Sequence, residues 1–153
     1  MIRARWLFAI TLSLWLAALG RDRFDLWIDA TILPPLIVET SVEVLDRNGD
    51  LLRAYTVADG RWRLALPPDK VDPIYLKMLI SYEDKRFRSH SGVDARSLIR
   101  AVLQAAWNGR VVSGGSTLTM QVARLLEESG TGKVGGKLRQ MRVALALERR
   151  LSK

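Results

Sequence analysis

The chain opens with an apolar run, Trp6 to Gly20, broken only by Thr11 and Ser13; Arg3 and Arg5 precede it and Arg21 comes directly after it. The pattern predicts a helix at the membrane over residues 1–20. It is a signal peptide cleaved after Ala18-Leu19-Gly20 or, the preferred reading, a retained signal anchor, with a buried soluble helix as the plainer alternative. The run is shorter than the ~20 residues of a full span. Trp6 and Trp15 nevertheless suit interfacial positions, and the leading arginines put the N-terminus in the cytoplasm and the rest outside. Residues 21–40 read as a connector in which Pro34-Pro35 stops any helix.

A period of two then appears. Val42 and Val44 alternate with polar neighbours, Asp46-Arg47-Asn48-Gly49-Asp50 comes next, and Leu51 to Val57 returns. Asn48-Gly49 is a dipeptide that tight hairpin turns prefer, so a β-hairpin is expected within residues 21–58. A lone hairpin is marginal and must pack on a later part of the chain. From Asp72 the period becomes helical, with Asp72 as N-cap and Pro73 at the first helical position. Leu76, Ile80, Glu83 and Phe87 fall on one face of that helix. Asp94 caps a second helix that stops at Asn108-Gly109. Ser113 to Thr117 is a glycine-rich turn into a third helix, which ends near Gly130. Thr131 to Gly136 is a loop, and a fourth helix starts near Lys137 and still runs at Lys153.

Charge divides the chain. Residues 1–80 carry ten basic and ten acidic side chains, whereas residues 81–153 carry fourteen and six, so the whole net +8 lies in the second half. Such a half suits an anionic partner. The absence of cysteine excludes disulfides, thiolate zinc sites and cysteine nucleophiles.

Three pieces could carry chemistry. Glu83 is a carboxylate on an apolar face, where desolvation would raise its pKa toward a range useful for proton transfer; a boundary glutamate reaching water is the plainer alternative. Gly114-Gly115-Ser116-Thr117 precedes a helix whose free N–H groups favour an anion, with Gln121 and Arg124 one and two turns on; an ordinary capped turn would look the same. Arg139, Arg142, Arg149 and Arg150 form a basic stripe, either solvated or facing phosphate or anionic lipid. Gln140 points with Val143, Ala144 and Leu147, a polar group on an apolar face.

In this order the pieces resemble a known family. EDKRFRSHSGVD (Glu83–Asp94), GGSTLTMQ (Gly114–Gln121) and KLRQMRVALALERRLSK (Lys137–Lys153) are similar to three signatures of the family 51 glycosyltransferases, the peptidoglycan polymerase domain of class A penicillin-binding proteins, and are most similar to its 1C type. The resemblance runs over residues 59–153. It implies a mainly α, lysozyme-like glycosyltransferase domain, here cut short, behind a membrane-anchor helix and a small β-hairpin. It also implies polymerisation of lipid II onto a nascent glycan chain with release of undecaprenyl diphosphate. Further expectations are inner-membrane lipid and cell-wall synthesis proteins as partners, no nucleic acid, and a single-pass location with the catalytic part on the outer side of the bacterial cytoplasmic membrane.

Carried over by position, Glu83 matches the catalytic base. Asp84, Phe87 and His90 match residues that shape the site. Ser116, Thr117 and Gln121 match residues that meet substrate or its phosphates. Arg124 stands where Lys is usual, and Lys137 matches a basic residue of the third signature. Gln140 stands where the family has a Glu tied to the donor diphosphate. Gln hydrogen-bonds but supplies no negative charge for a metal. No metal ligand is therefore assigned, and the only cofactor the resemblance leaves open is a divalent cation, Mg or Mn. Two other readings compete: a lysozyme-like glycan hydrolase using the same Glu, and an inactive membrane-anchored piece.

Overall fold

The computed structural model describes residues 2–127 and 134–153. The chain is mostly helical, with one small antiparallel sheet. In order it has α1 (Ile2–Asp29), β1 (Glu43–Leu45), β2 (Leu51–Ala54), α2 (Pro73–Glu83), α3 (Ala95–Asn108), α4 (Leu118–Glu127) and α5 (Val134–Arg150). Single turns of 3₁₀ helix lie at Pro68–Lys70 and Phe87–Ser89.

Three boundaries are set by local chemistry. The Asp72 carboxylate accepts the Ile74 N–H at 2.7 Å, with Pro73 at the first helical position, and starts α2. Asp94 accepts the N–H groups of Arg96 and Ser97 and starts α3, and Gly109, at φ 64°, stops it. In the hairpin, the Asp46 carboxylate accepts N–H groups from Asn48 and Asp50 and closes the turn around Gly49, whose φ is 87°. These hydrogen bonds hold the Asp46 pKa below the ordinary carboxylate value. The hairpin gains partners beyond its turn, because Ser41 and Arg63 exchange hydrogen bonds across the chain.

Two helices depart from expectation. α1 does not end with the apolar run but continues to Asp29, through residues expected to be a connector. Its last turns dock on α5. Arg149 pairs with Asp25 and Asp29, Arg150 donates to the Asp29 and Thr31 carbonyls, and Arg142 donates to the Trp27 carbonyl and lies 4.5 Å over the Trp27 ring. Cations at the C-terminal end of α1 also meet its dipole favourably. Three of the four arginines of the α5 stripe, Arg142, Arg149 and Arg150, are thus taken up by the end of α1 rather than left for an anion, and the fourth, Arg139, pairs with Glu127. The apolar residues from Trp6 to Leu19 are exposed on every side, and among the described residues no helix is long and apolar enough to cross a membrane.

α5 spans Val134–Arg150, beginning before Lys137 and stopping before Lys153. The expected end of the third helix near Gly130, and the first half of the expected 131–136 loop, lie outside the described residues, while Val134, Gly135 and Gly136 are the first turn of α5 rather than loop. α4 and α5 form the centre of the packing. Ala123, Val143 and Leu147 are buried together, flanked by Leu33 and Leu126. Gln140, Val143, Ala144 and Leu147 share the buried face of α5, as their spacing requires. Gly92 packs directly on the α5 backbone, where a Cβ would lie 2.4 Å from the Ala144 carbonyl oxygen.

Candidate active site

α2 ends at Glu83 because the next residue turns inward. Asp84 is buried, and its carboxylate accepts the Leu118 N–H at 3.0 Å and His90 Nε2 at 2.9 Å. A carboxylate accepts only, so Nε2 carries the hydrogen and His90 Nδ1 is the buried atom left without a partner. The pair joins the 83–92 segment to the first turn of α4. Thr117 strengthens the joint. Its hydroxyl donates to the Gly92 carbonyl at 2.5 Å and accepts the Met120 N–H at 3.1 Å, so the side chain is a buried latch and cap.

Glu83 itself is exposed, which differs from the desolvated position its spacing suggested. Phe87 was expected on the same helix face. It lies beyond the helix, in the 3₁₀ turn, and lines an apolar cavity with Leu118 and Leu147. The reason is Asp84, whose long-range partners end α2 four residues early. Glu83 is fixed from the other side, where Gln121 Nε2 donates to its Oε2 at 2.9 Å.

Two cavities meet here. One, of about 300 Å³, is lined by Glu83, Lys85, Arg86, Arg100, Gly114 and Ser116, among others. Arg86 is held in it by Asp94 at 2.8 Å. Burial alone would raise the Asp94 pKa. Hydrogen bonds from Ser97 and the charge of Arg86 outweigh it, and the net shift is downward. The second cavity, of about 230 Å³, is lined by Ser116, Met120, Gln121, Arg124, Lys137 and Gln140. Lys137 Nζ donates to Ser116 Oγ at 2.6 Å. Burial, then the nearby Arg124 guanidinium, holds the Lys137 ammonium below its usual pKa. Ser116 belongs to both cavities, and Gln121 lines the second while holding the carboxylate of the first.

Nine of the ten expected residues therefore cluster around these two cavities or the joint that positions them; Phe87 alone faces elsewhere. Of the further cations in the three signatures, Arg139 pairs with Glu127 and Arg142 with the end of α1, away from Glu83. Arg100 was missed, although it lies one helical turn beyond Arg96 and faces the Glu83 cavity. Among the described residues no group of three or more His, Asp or Glu side chains is gathered to hold a metal ion.

The transglycosylase family model matches residues 48–153, beginning in the hairpin turn. Penicillin-binding protein 1C of Escherichia coli (strain K12) is 46% identical over 147 residues, covering 96% of this chain and 18% of that protein. Penicillin-binding protein 1A of Pseudomonas aeruginosa is 39% identical over 79 residues, 52% of this chain and 10% of that protein. Penicillin-binding protein 1F of Bacillus subtilis (strain 168) is 33% identical over 118 residues, 77% of this chain and 16% of that protein. The chain thus spans less than a fifth of the length of these relatives. No solved structure matches it. The match over residues 48–153 takes in both cavities and the joint between them, and the chain belongs to the transglycosylase family.

Proposed function

We propose that this chain belongs to a peptidoglycan glycosyltransferase with a lysozyme-like catalytic domain, polymerising lipid II with release of undecaprenyl diphosphate. The observation that carries the reading is the position of Glu83: its carboxylate is held by Gln121, a residue that also lines the neighbouring cavity of Lys137 and Arg124. A base beside a cationic cavity fits transfer of a sugar from a diphosphate leaving group.

In this reaction the acceptor sugar's 4-hydroxyl gives its proton to the Glu83 carboxylate. The oxygen attacks the anomeric carbon of the growing chain from the face opposite the diphosphate, so the configuration inverts. The bond from that carbon to the phosphate oxygen breaks and its electron pair stays on the diphosphate. Lys137 and Arg124 stabilise the charge that develops there, and the Ser116 hydroxyl lies beside them. Lys85, Arg86 and Arg100 line the Glu83 cavity and favour an acceptor that carries phosphate. The exposed apolar surface of α1 supports a membrane anchor, which would hold the catalytic part on the outer side of the cytoplasmic membrane, close to a lipid-linked substrate.

A glycan hydrolase would use the same carboxylate but has no use for a cationic cavity beside it. Incubation of the purified protein with lipid II distinguishes the two. Growth of glycan polymer is expected; shortening of preformed glycan strands without growth would refute the proposal.

A further inference from the structure

A buried ion pair reaches the segment that carries Glu83. Glu148 lies in the last turn of α5, and both of its oxygens are occupied: Oε1 accepts the Thr119 hydroxyl at 2.5 Å and Oε2 lies 3.1 Å from Lys153 Nζ. The Glu148 side chain is 8% exposed and the Lys153 side chain 20%. A buried carboxylate stranded without its cation is costly, so stability alone would place a lysine here. The other contacts of Lys153 go further. Its Nζ also donates to the carbonyls of Phe87 and His90 and lies 4.7 Å over the Phe87 ring. An ammonium has three N–H groups, and Glu148, Phe87 and His90 account for all of them. The two carbonyls belong to the 3₁₀ turn at Phe87–Ser89 and to the residue after it. A helical turn ends with carbonyls short of donors, and a cation is favoured there.

We infer that Glu148 and Lys153 are positioning residues for Glu83: held by Glu148, the Lys153 ammonium pins the 87–90 turn and so fixes the Asp84–His90 pair and the carboxylate that precedes it. Three fastenings then hold the segment along its length. Gln121 holds the Glu83 carboxylate, the Thr117 hydroxyl holds the Gly92 carbonyl, and Lys153 holds the stretch between them. The contacts also close on themselves. Asp84 accepts from Leu118, the next residue Thr119 donates to Glu148, Glu148 pairs with Lys153, Lys153 donates to the His90 carbonyl, and the His90 ring returns to Asp84. Neither Glu148 nor Lys153 lines the two cavities beside Glu83, so their action runs through the backbone and not through contact with substrate. A reacting group misplaced by about 1 Å costs about 10²-fold in rate, which is what such a fastening prevents. The inference deepens the glycosyltransferase reading and rests on it for the reaction whose rate is measured.

The test uses two variants of the full chain in detergent. Lys153→Met removes the ammonium and strands the Glu148 carboxylate, so it is expected to lower both the melting temperature and the rate. Adding Glu148→Gln removes the stranded charge, while the amide oxygen still accepts from Thr119. The double variant is expected to melt within about 3 °C of wild type, yet to keep kcat for lipid II about 10- to 100-fold down with KM within about twofold. A second readout needs no turnover. His90 is the only histidine of the chain, and the signal of its Nε2, which hydrogen-bonds Asp84, is expected to shift in the double variant. A folded double variant with wild-type kcat would overturn the inference, as would a rate that recovers in step with the melting temperature or an unmoved His90 signal. In the wild-type chain the Lys153 ammonium signal is expected to be protected from exchange with solvent; rapid exchange would overturn the inference even if neither variant folds. A His90 shift in a chain that does not polymerise lipid II would remove the proposed function and leave the positioning standing. Polymerisation with an unmoved His90 signal would do the reverse.

Discussion

Gly92→Ala tests how the 83–92 segment is seated. Gly92 has φ 89°, in the left-handed region, and its missing Cβ leaves room for the α5 backbone. An added Cβ would lie 2.4 Å from the Ala144 oxygen, 2.6 Å from its carbonyl carbon and 2.9 Å from Leu145 N. All three are backbone atoms inside a helix, so no side chain can swing aside. Overpacking of this kind costs about 1–3 kcal/mol, and a non-glycine residue in a disfavoured backbone region costs about 1–3 kcal/mol more. Relief requires the 83–92 segment to lift off α5. That movement also strains the Thr117 hydroxyl bond to the Gly92 carbonyl and the Asp84–His90 pair. The expected loss is about 3 kcal/mol, which for a chain of this size lowers the melting temperature by about 6–12 °C. Thermal unfolding followed by circular dichroism reads it directly. A melting temperature within about 2 °C of wild type would refute the seating of Gly92 on α5.

Three other outcomes rest on the same geometry. Asp84→Ala leaves the Leu118 N–H and His90 without their acceptor and is expected to destabilise the chain by about 3 kcal/mol, read as a lower urea midpoint; an unchanged midpoint would contradict the joint. The Asp94 pKa is lowered in the folded state, so its stabilisation is fully present above the unfolded carboxylate pKa and is lost as pH falls through the lower folded value. Acid unfolding below pH ~4 should therefore be shallower in Asp94→Asn than in wild type. Arg149→Ala releases Asp25 and Asp29 and is expected to speed amide exchange at residues 25–31 with little change in global stability, because exposed pairs are screened by solvent; unchanged exchange there would mean that α1 does not rely on this pairing.

The sequence made legible whatever depends on neighbours in the chain. Asp72-Pro73, Asp94 and Asn108-Gly109 delimit α2 and α3 because caps and left-handed stops are built from hydrogen bonds within a few residues. The buried side of Gln140 was legible for the same reason, since helical spacing alone puts it with Val143 and Leu147. The features that escaped depend on distant partners. α1 runs to Asp29 because arginines of α5, more than a hundred residues away, hold its end. Asp84 was readable as a site residue, but its inward turn needs Leu118 and His90, and that turn removes Phe87 from the face shared by Leu76, Ile80 and Glu83. Exposure of Glu83 and occupation of the α5 arginines come from these long-range contacts, which no periodicity contains.

The central claim is that Glu83 takes the proton from the attacking hydroxyl. The most direct measurement is the rate of lipid II polymerisation by Glu83→Gln, alongside pyrophosphate binding by the same variant. Glutamine keeps the shape of the side chain and a contact with Gln121 but is no base. The rate is expected to fall by about 10²–10⁴, the usual worth of a general base, with pyrophosphate affinity unchanged. A variant that polymerises at close to the wild-type rate would contradict the claim.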